Sequence, residues 1–337
     1  MPRSLLSLFE PFVLALLGTV VLASLLPVRG SLVPLADGIT TAAIVLLFFL
    51  HGAKLSREEI VKGASNWRLH LAVFLTTFAL FPLLGLGLVS LPFVTGPTAA
   101  GLLFLTLLPS TVQSSIAFTA VARGNVAAAV CSASFSNLIG IVVTPALVAL
   151  MMSGLAGQSG VSIEAVETIA LQLLLPFVSG HLLRPWIGGF VGRHRTLVSS
   201  VDRGSILLVV YTAFSAAVVE GLWSRVSGET LALILLLCTL LLVVVLAVTW
   251  LLGRMMGLPR EDAIVLLFCG SKKSLASGVP MAGVLFPAAQ VGAILLPVML
   301  FHQIQLIACA VIARRMAGAA GGEPPQAGPA IDTTLAD

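Results

Sequence analysis

The sequence predicts an all-α membrane protein of about ten transmembrane helices, arranged as two inverted five-helix repeats whose fourth and ninth helices are broken and cross. Three observations predict it. Apolar residues make up 58% of the 337 positions and charged residues 9%, with a mean hydropathy of +1.10; that composition cannot cover a water-facing surface. Apolar stretches follow one another through short loops, most of them near the roughly 20 residues that a span requires. Two stretches carry polar clusters at matched places, Pro109 to Ser115 (PSTVQSS) and Cys269 to Ser274 (CGSKKS), with Ser110 and Ser271 161 residues apart.

Turn and charge residues mark the spans in order. The first, near 5–27, follows Arg3; this basic start resembles a signal peptide, but the run is long enough to span and a second follows closely, so it reads as retained. The second (38–55) begins after Asp37, the third (68–91) ends before Pro92, and the fourth (97–121) closes before Arg123. The fifth (125–152) opens on Asn125, and the sixth (166–187) ends at Gly188 and Gly189. The seventh (204–224) follows Arg203, the eighth (230–254) lies between Glu229 and Arg254, the ninth (262–286) stops before Pro287, and the tenth (290–313) meets Arg314. Residues 316–337, rich in Gly, Ala and Pro, read as a disordered cytoplasmic tail. Residues 1–315 therefore form one polytopic membrane domain, with repeats of about 5–152 and 166–315. Adding the 161-residue offset to Leu5 gives Val166, where the sixth span begins. Five spans per repeat is odd, so the second copy runs through the bilayer in the opposite sense.

Charge supports this count. With a cytoplasmic N-terminus, fourteen Lys and Arg residues fall inside, Arg29 and Arg225 fall outside, and Lys272 and Lys273 lie within a span. That imbalance follows the positive-inside rule and places both termini in the cytoplasm, in a multi-pass cell membrane protein suited to a bacterial inner membrane. The same scatter in short loops accounts for the pI of about 9.2 without nucleic acid as a partner. Cys131, Cys238, Cys269 and Cys309 sit in apolar runs, giving neither a disulfide framework nor a metal site. His51 and His181 have no metal-ligand spacing. No paired carboxylates, HExxH or Gly-x-Ser-x-Gly elbow falls in a span, which argues against an enzyme.

The polar clusters carry the functional expectation. A helix interrupted within lipid frees N–H and C=O groups that only a cavity, a partner or a ligand can satisfy. Pro109 lacks an N–H and Gly270 a side chain, so each loosens its helix. Paired half-helix ends then offer positive dipole ends to anions and carbonyls to cations. Ser110, Thr111, Gln113, Ser114, Ser115 and Ser271 to Ser274 are the candidate binding residues at the crossover, including Lys272 and Lys273. Each hydroxyl taken alone also fits back-bonding to its own helix. Ser132, Ser136 and Asn137 in the fifth span, with His302, Gln303 and Gln305 in the tenth, fit either cavity lining or polar glue between helices. A lysine at mid-bilayer costs about 2.5–3.5 kcal/mol and is rarely kept there without a cavity, partner or task. A ninth span starting at Ser274 would instead leave both lysines in a cytoplasmic loop.

Leu108 to Thr111 (LPST), Ala122 to Asn125 (ARGN), Thr144-Pro145 and Phe78 to Pro82 (FALFP) together resemble the bile acid:sodium symporter family. Phe268 to Leu275 (FCGSKKSL), Pro280-Met281 and Phe301 to Gln305 (FHQIQ) resemble its SBF-like branch more narrowly, with bacterial members and a vertebrate one associated with intracellular calcium regulation. The resemblance spans residues 5–315. It implies a panel domain, a core domain with crossing helices four and nine, and alternating access to an organic anion; no cofactor is expected, and sodium stays an option that the missing family carboxylate argues against.

The departures shape the mechanism. Sodium-coupled members carry Glu-x-Gly-x-Gln in the ninth span, with Glu and Gln on sodium; here the run is Cys269 to Lys273. Thr77 stands where a glutamine assists one sodium site, and Ser114 or Ser115 replaces a Ser-Asn pair. None of the fourteen acids lies near either break in the sequence. The resulting expectation is that Lys273 or Lys272 places an ammonium where a coupling sodium sits in relatives, holding half-helix carbonyls and attracting an anion. A buried lysine can also exchange its proton, so proton coupling is a chemical option. The expected function is secondary active transport of a small organic anion; the alternative is a regulatory or scaffold membrane protein of the same fold without ion-coupled transport.

Overall fold

Inside lipid a backbone must meet its own hydrogen bonds, which favours helices. A computed structural model describes residues 11–54, 66–152 and 170–318, and within them every regular element is helical. The chain runs through α1 (Pro11–Leu25), a 3₁₀ turn, and α2 (Val33–Lys54). Next come α3 (Trp67–Val89), which contains a π turn at Thr76–Leu80, α4 (Gly96–Leu107), α5 (Gln113–Val121) and α6 (Val126–Met151). After a π turn at Ala170–Leu174 follow α7 (Leu175–Arg193), α8 (Arg195–Val219), α9 (Gly228–Met255), α10 (Arg260–Gly270), α11 (Leu275–Leu285) and α12 (Ala288–Gly318).

Six of these, α2, α3, α6, α8, α9 and α12, are long and apolar enough to cross a membrane, and shorter apolar helices accompany them. The fourth and ninth apolar stretches are each two short helices, α4 with α5 and α10 with α11. Helices also outrun the apolar stretches that predicted them. The seventh span begins at Arg195 rather than near 204, because hydropathy ends where the polar turns begin while the hydrogen-bond ladder continues. Likewise α12 reaches Gly318, so the first residues assigned to the tail are helical; residues 319–337 and the signal-like residues 1–10 lie outside the described residues.

Helices α1, α2, α7 and α8 pack on one another, and α8 also meets α11 and α12 of the remaining helices. Between α2 and α7 the backbones touch. A Cβ on Gly52 would lie 2.0 Å from the carbonyl oxygen of Phe177, and one on Gly180 2.0 Å from that of Phe49. Small residues permit such contact where lipid gives no hydrophobic drive for helix association. The ion pair of Lys54 and Asp202 ties α2 to α8.

Candidate functional site

The two breaks follow from local sequence. A residue before proline is pushed out of the α region, and Leu108 is extended (φ −71°, ψ 153°), ending α4. At the second break Ser274 is extended and caps α11, its Oγ accepting from Ser277 N–H at 3.1 Å. The breaks meet directly: Ser274 N–H donates to the carbonyl of Pro109 at 2.8 Å.

Ended helices leave their last carbonyls without donors, and the two ends solve this differently. At α10 the donors are hydroxyls: Ser271 to Leu267 O (2.5 Å), Ser115 to Phe268 O (3.2 Å) and Ser110 to Cys269 O (2.6 Å). At α4, Thr144 donates to Leu107 O (2.8 Å), while the Lys273 ammonium donates to Thr106 O (2.8 Å) and Leu108 O (2.6 Å). A cation thus sits at the negative end of a half-helix dipole.

The third proton of Lys273 goes to Thr77 O at 2.8 Å. The π turn explains why that carbonyl is free. Phe81 N–H reaches back to Thr76 O, and the next residue, Pro82, has no N–H to offer. All three ammonium donors are therefore matched to carbonyls, with the Phe81 ring 4.2 Å away. Gln305 fixes the backbone beside it, accepting from Lys273 N–H (3.0 Å) and donating to Lys273 O (2.9 Å). Lys273 is 1% exposed and Lys272 fully buried, so neither is a solvated loop charge.

Lys272 is placed otherwise. Its ammonium lies 4.2 Å from the Phe118 ring and 5.7 Å from that of Phe268, and its one described hydrogen bond is a long one of 3.4 Å to Ser114 Oγ. Of three donors, two have no acceptor among the described residues.

In front of the breaks lies a cavity of about 150 Å³. Two half-helix N-termini border it, α5 through Gln113 and Ser114 and α11 through Leu275 and Ser277. Asn137 borders it too, its Oδ1 accepting from Ser277 Oγ at 2.6 Å. The facing wall carries His51 of α2 with Asp202 and Arg203 of α8, and His302 completes the lining. No acid lies near either break in the sequence, yet Asp202 is brought to this cavity from a distant part of the chain. Asp202 reaches the cavity because the polar first turns of α8 are helical and fold onto it, which hydropathy does not register.

The remaining candidates divide. Thr111, Ser114 and Ser115 form one hydroxyl cluster, with Thr111 Oγ1 3.0 Å from Ser115 and 2.9 Å from Ser114. Ser136 accepts from Ser110 N–H at 3.1 Å, whereas Ser132 turns to His70 of α3 at 2.7 Å. On α12 it is Gln305, also 2.9 Å from His302 Nδ1, that reaches the break. Gln303, two positions away and half-buried, lies on another face of the helix. A polar node that spacing does not reveal joins α10 to its neighbours: Asp262 accepts from Asn66 (2.7 Å) and Asn125 (2.9 Å).

Several membrane-length helices and two interrupted ones, meeting beside a polar cavity, define a multi-pass membrane transporter. Residues 10–318 match the SBF-like CPA transporter family, and the chain belongs to it. It is 54% identical over 310 residues to PA2026 of Pseudomonas aeruginosa, covering 91% of this chain and 93% of that one. YfeH of Escherichia coli strain K12, whose name proposes a symporter, is 52% identical over 313 residues, 92% and 94% of the two chains. Sodium/bile acid cotransporter 7 of Mus musculus is 27% identical over 290 residues, 83% and 84% of the two chains.

Proposed function

We propose that this protein is a secondary active transporter of a small organic anion, working by alternating access, in which Lys273 stands in for a coupling sodium. The observation that carries the reading is the Lys273 ammonium held by the carbonyls of Thr77, Thr106 and Leu108. Carbonyl cages at unwound helix ends are how many transporters hold cations, and a tethered ammonium supplies that charge permanently. The anion belongs at the cavity, where the N-termini of α5 and α11 present positive dipole ends.

Lys272 and Lys273 then divide the work: Lys273 holds the crossing together, and Lys272, with donors to spare behind Ser114, adds charge for the anion. Access alternates as α1, α2, α7 and α8 rock against the other helices. Ten spans in two inverted repeats are consistent with α5 and α11 beginning at Gln113 and Leu275, within one residue of the 161-residue offset. The charge pattern favours an inner membrane with both termini cytoplasmic.

The full complement of acceptors on Lys273 also suits the second reading, a regulatory or scaffold protein without ion coupling. Uptake of radiolabelled organic anions into proteoliposomes, with sodium and proton gradients imposed separately, decides between them. Accumulation under the proton gradient or by anion exchange supports transport; no uptake of any anion under either gradient leaves the scaffold.

A further inference from the structure

The helices fall into two groups, and polar bonds stay within each. Among the described residues, the hydrogen bonds and the ion pair of α1, α2, α7 and α8 end on these four helices or on the turns beside them. Lys54 pairs with Asp202, Thr40 lies 3.3 Å from Thr212, and Tyr211 donates to Leu26 O at 2.7 Å. Trp223, just past α8, donates to Ser24 at 3.0 Å. None crosses to the other helices, so van der Waals contact alone joins the two groups there. That contact is uneven along α8. Its first turns, at Asp202, Arg203 and Ile206, border the cavity. At a rise of 1.5 Å per residue, Ala217 lies about 22 Å further along the helix than Asp202, and there the groups are closed on each other. A Cβ on Gly292, early in α12, would lie 2.7 Å from Ala217 Cβ, 3.4 Å from the carbonyl oxygen of Ala213 and 3.6 Å from Phe214 Cα. Gly292 and all three of these α8 residues are buried.

From this we infer that Gly292 against α8 is the gate at the closed end. The state seen here gives access to the cavity from the side where α8 begins, and the opposite state forms when α12 parts from Ala213 and Ala217. No hydrogen bond or ion pair among the described residues has to break for that separation, so the fit at Gly292 sets the balance between the two states. A side chain at this position adds nothing that the open state lacks room for, yet it overpacks the closed one. By the charge pattern, the closed end faces away from the cytoplasm. The inference rests on the alternating-access reading and assigns it a gate.

Side-specific labelling tests it. Ile206→Cys, at the cavity wall, is the reporter. A membrane-impermeant methanethiosulfonate is applied to right-side-out and inside-out vesicles holding the full-length protein, and the chain without the reporter gives the background. The reporter is expected to react from the side where α8 begins. Gly292→Val wedges the closed end and is expected to raise the rate from the opposite side about tenfold while lowering it from the first. Gly292→Ala is a milder wedge that keeps the test open if the valine variant does not fold. Adding Ala217→Gly to it removes the facing Cβ and is expected to return the parental pattern. Ala217→Cys with Gly292→Cys sets two thiols within disulfide reach once the helices ease slightly apart; oxidation is expected to abolish labelling from the opposite side and spare the first. Labelling unchanged by Gly292→Ala and by the oxidised pair overturns the inference. So does a reporter that reacts only from the opposite side in the parent, or faster labelling from both sides in Gly292→Ala that Ala217→Gly leaves uncorrected. The expected labelling shifts without uptake of any anion in proteoliposomes leave the gate standing and remove the transport reading.

Discussion

The ammonium of Lys273, on the second break, donates to the carbonyl of Leu108, where the first break begins, at 2.6 Å. With Thr144 on Leu107 O, this side chain from the second break caps the end of the first half-helix. Lys273→Met keeps the length of the side chain and removes its charge, orphaning the carbonyls of Thr77, Thr106 and Leu108. At about 1–3 kcal/mol for each unmatched buried group, the variant is expected to lose at least about 3 kcal/mol. The measurement is thermal melting in detergent; a midpoint within a degree or two of the parent would show the carbonyls find other donors.

Truncation asks more of the same site. In Lys273→Ala the carbonyls face space where the ammonium was, and a small cation can enter. The variant is expected to melt higher in sodium chloride than in choline chloride, with no such difference in the parent. Identical midpoints in both salts would remove the equivalence between ammonium and sodium.

Lys272 gives the contrasting result. Lys272→Met surrenders one 3.4 Å hydrogen bond and keeps its packing against Phe118 and Phe268, so stability changes by less than about 1 kcal/mol. Anion-dependent melting shifts are expected to weaken. An unchanged anion response would confine Lys272 to packing.

The contact of α2 with α7 predicts a structural defect far from the crossing. Gly180→Val puts branched carbon where even a Cβ would lie 2.0 Å from the Phe49 carbonyl. Overpacking of this kind costs about 1–3 kcal/mol or more. Reduced yield of monodisperse protein and a lower melting midpoint are the readouts, and Gly18→Val on α1, with open space around it, is the control.

At the start of α6, Asn125 caps the helix through Ala128 N–H (3.0 Å) and donates to Asp262 at 2.9 Å. Asn125→Ala removes both interactions and is expected to cost about 1–2 kcal/mol. Asn125→Asp keeps the cap but sets a carboxylate against Asp262, so it should be rescued in part by Asp262→Asn. Melting midpoints of the single and double variants measure the coupling.

The chain's composition made its class legible, and a proline and a pair of lysines located the breaks. Pro109 forces its predecessor out of the helix by local sterics, which any reader of the chain can infer. The role of Thr77 was not legible. Its carbonyl is free only because a π turn moves the Phe81 N–H to Thr76 and Pro82 follows. Gln305, read as one of several polar residues on the tenth span, could be separated from Gln303 only by the face that α12 turns toward the break. The place of Asp202 was not legible either: hydropathy ends a span where polarity rises, yet α8 continues and carries that acid to the cavity wall.

The sequence by itself determined that this protein is helical, lives in lipid, and interrupts two of its apolar stretches with polar residues, because those properties depend on neighbours a few positions apart. Which lysine closes the crossing, which keeps donors to spare, and which acid faces the cavity were decided only by tertiary structure. The partners are distant in the chain: Lys273 meets Thr77, 196 positions away, and Lys54 meets Asp202 across 148. No local pattern encodes such pairings, since they exist only once packed helices bring unmatched donors and acceptors within reach.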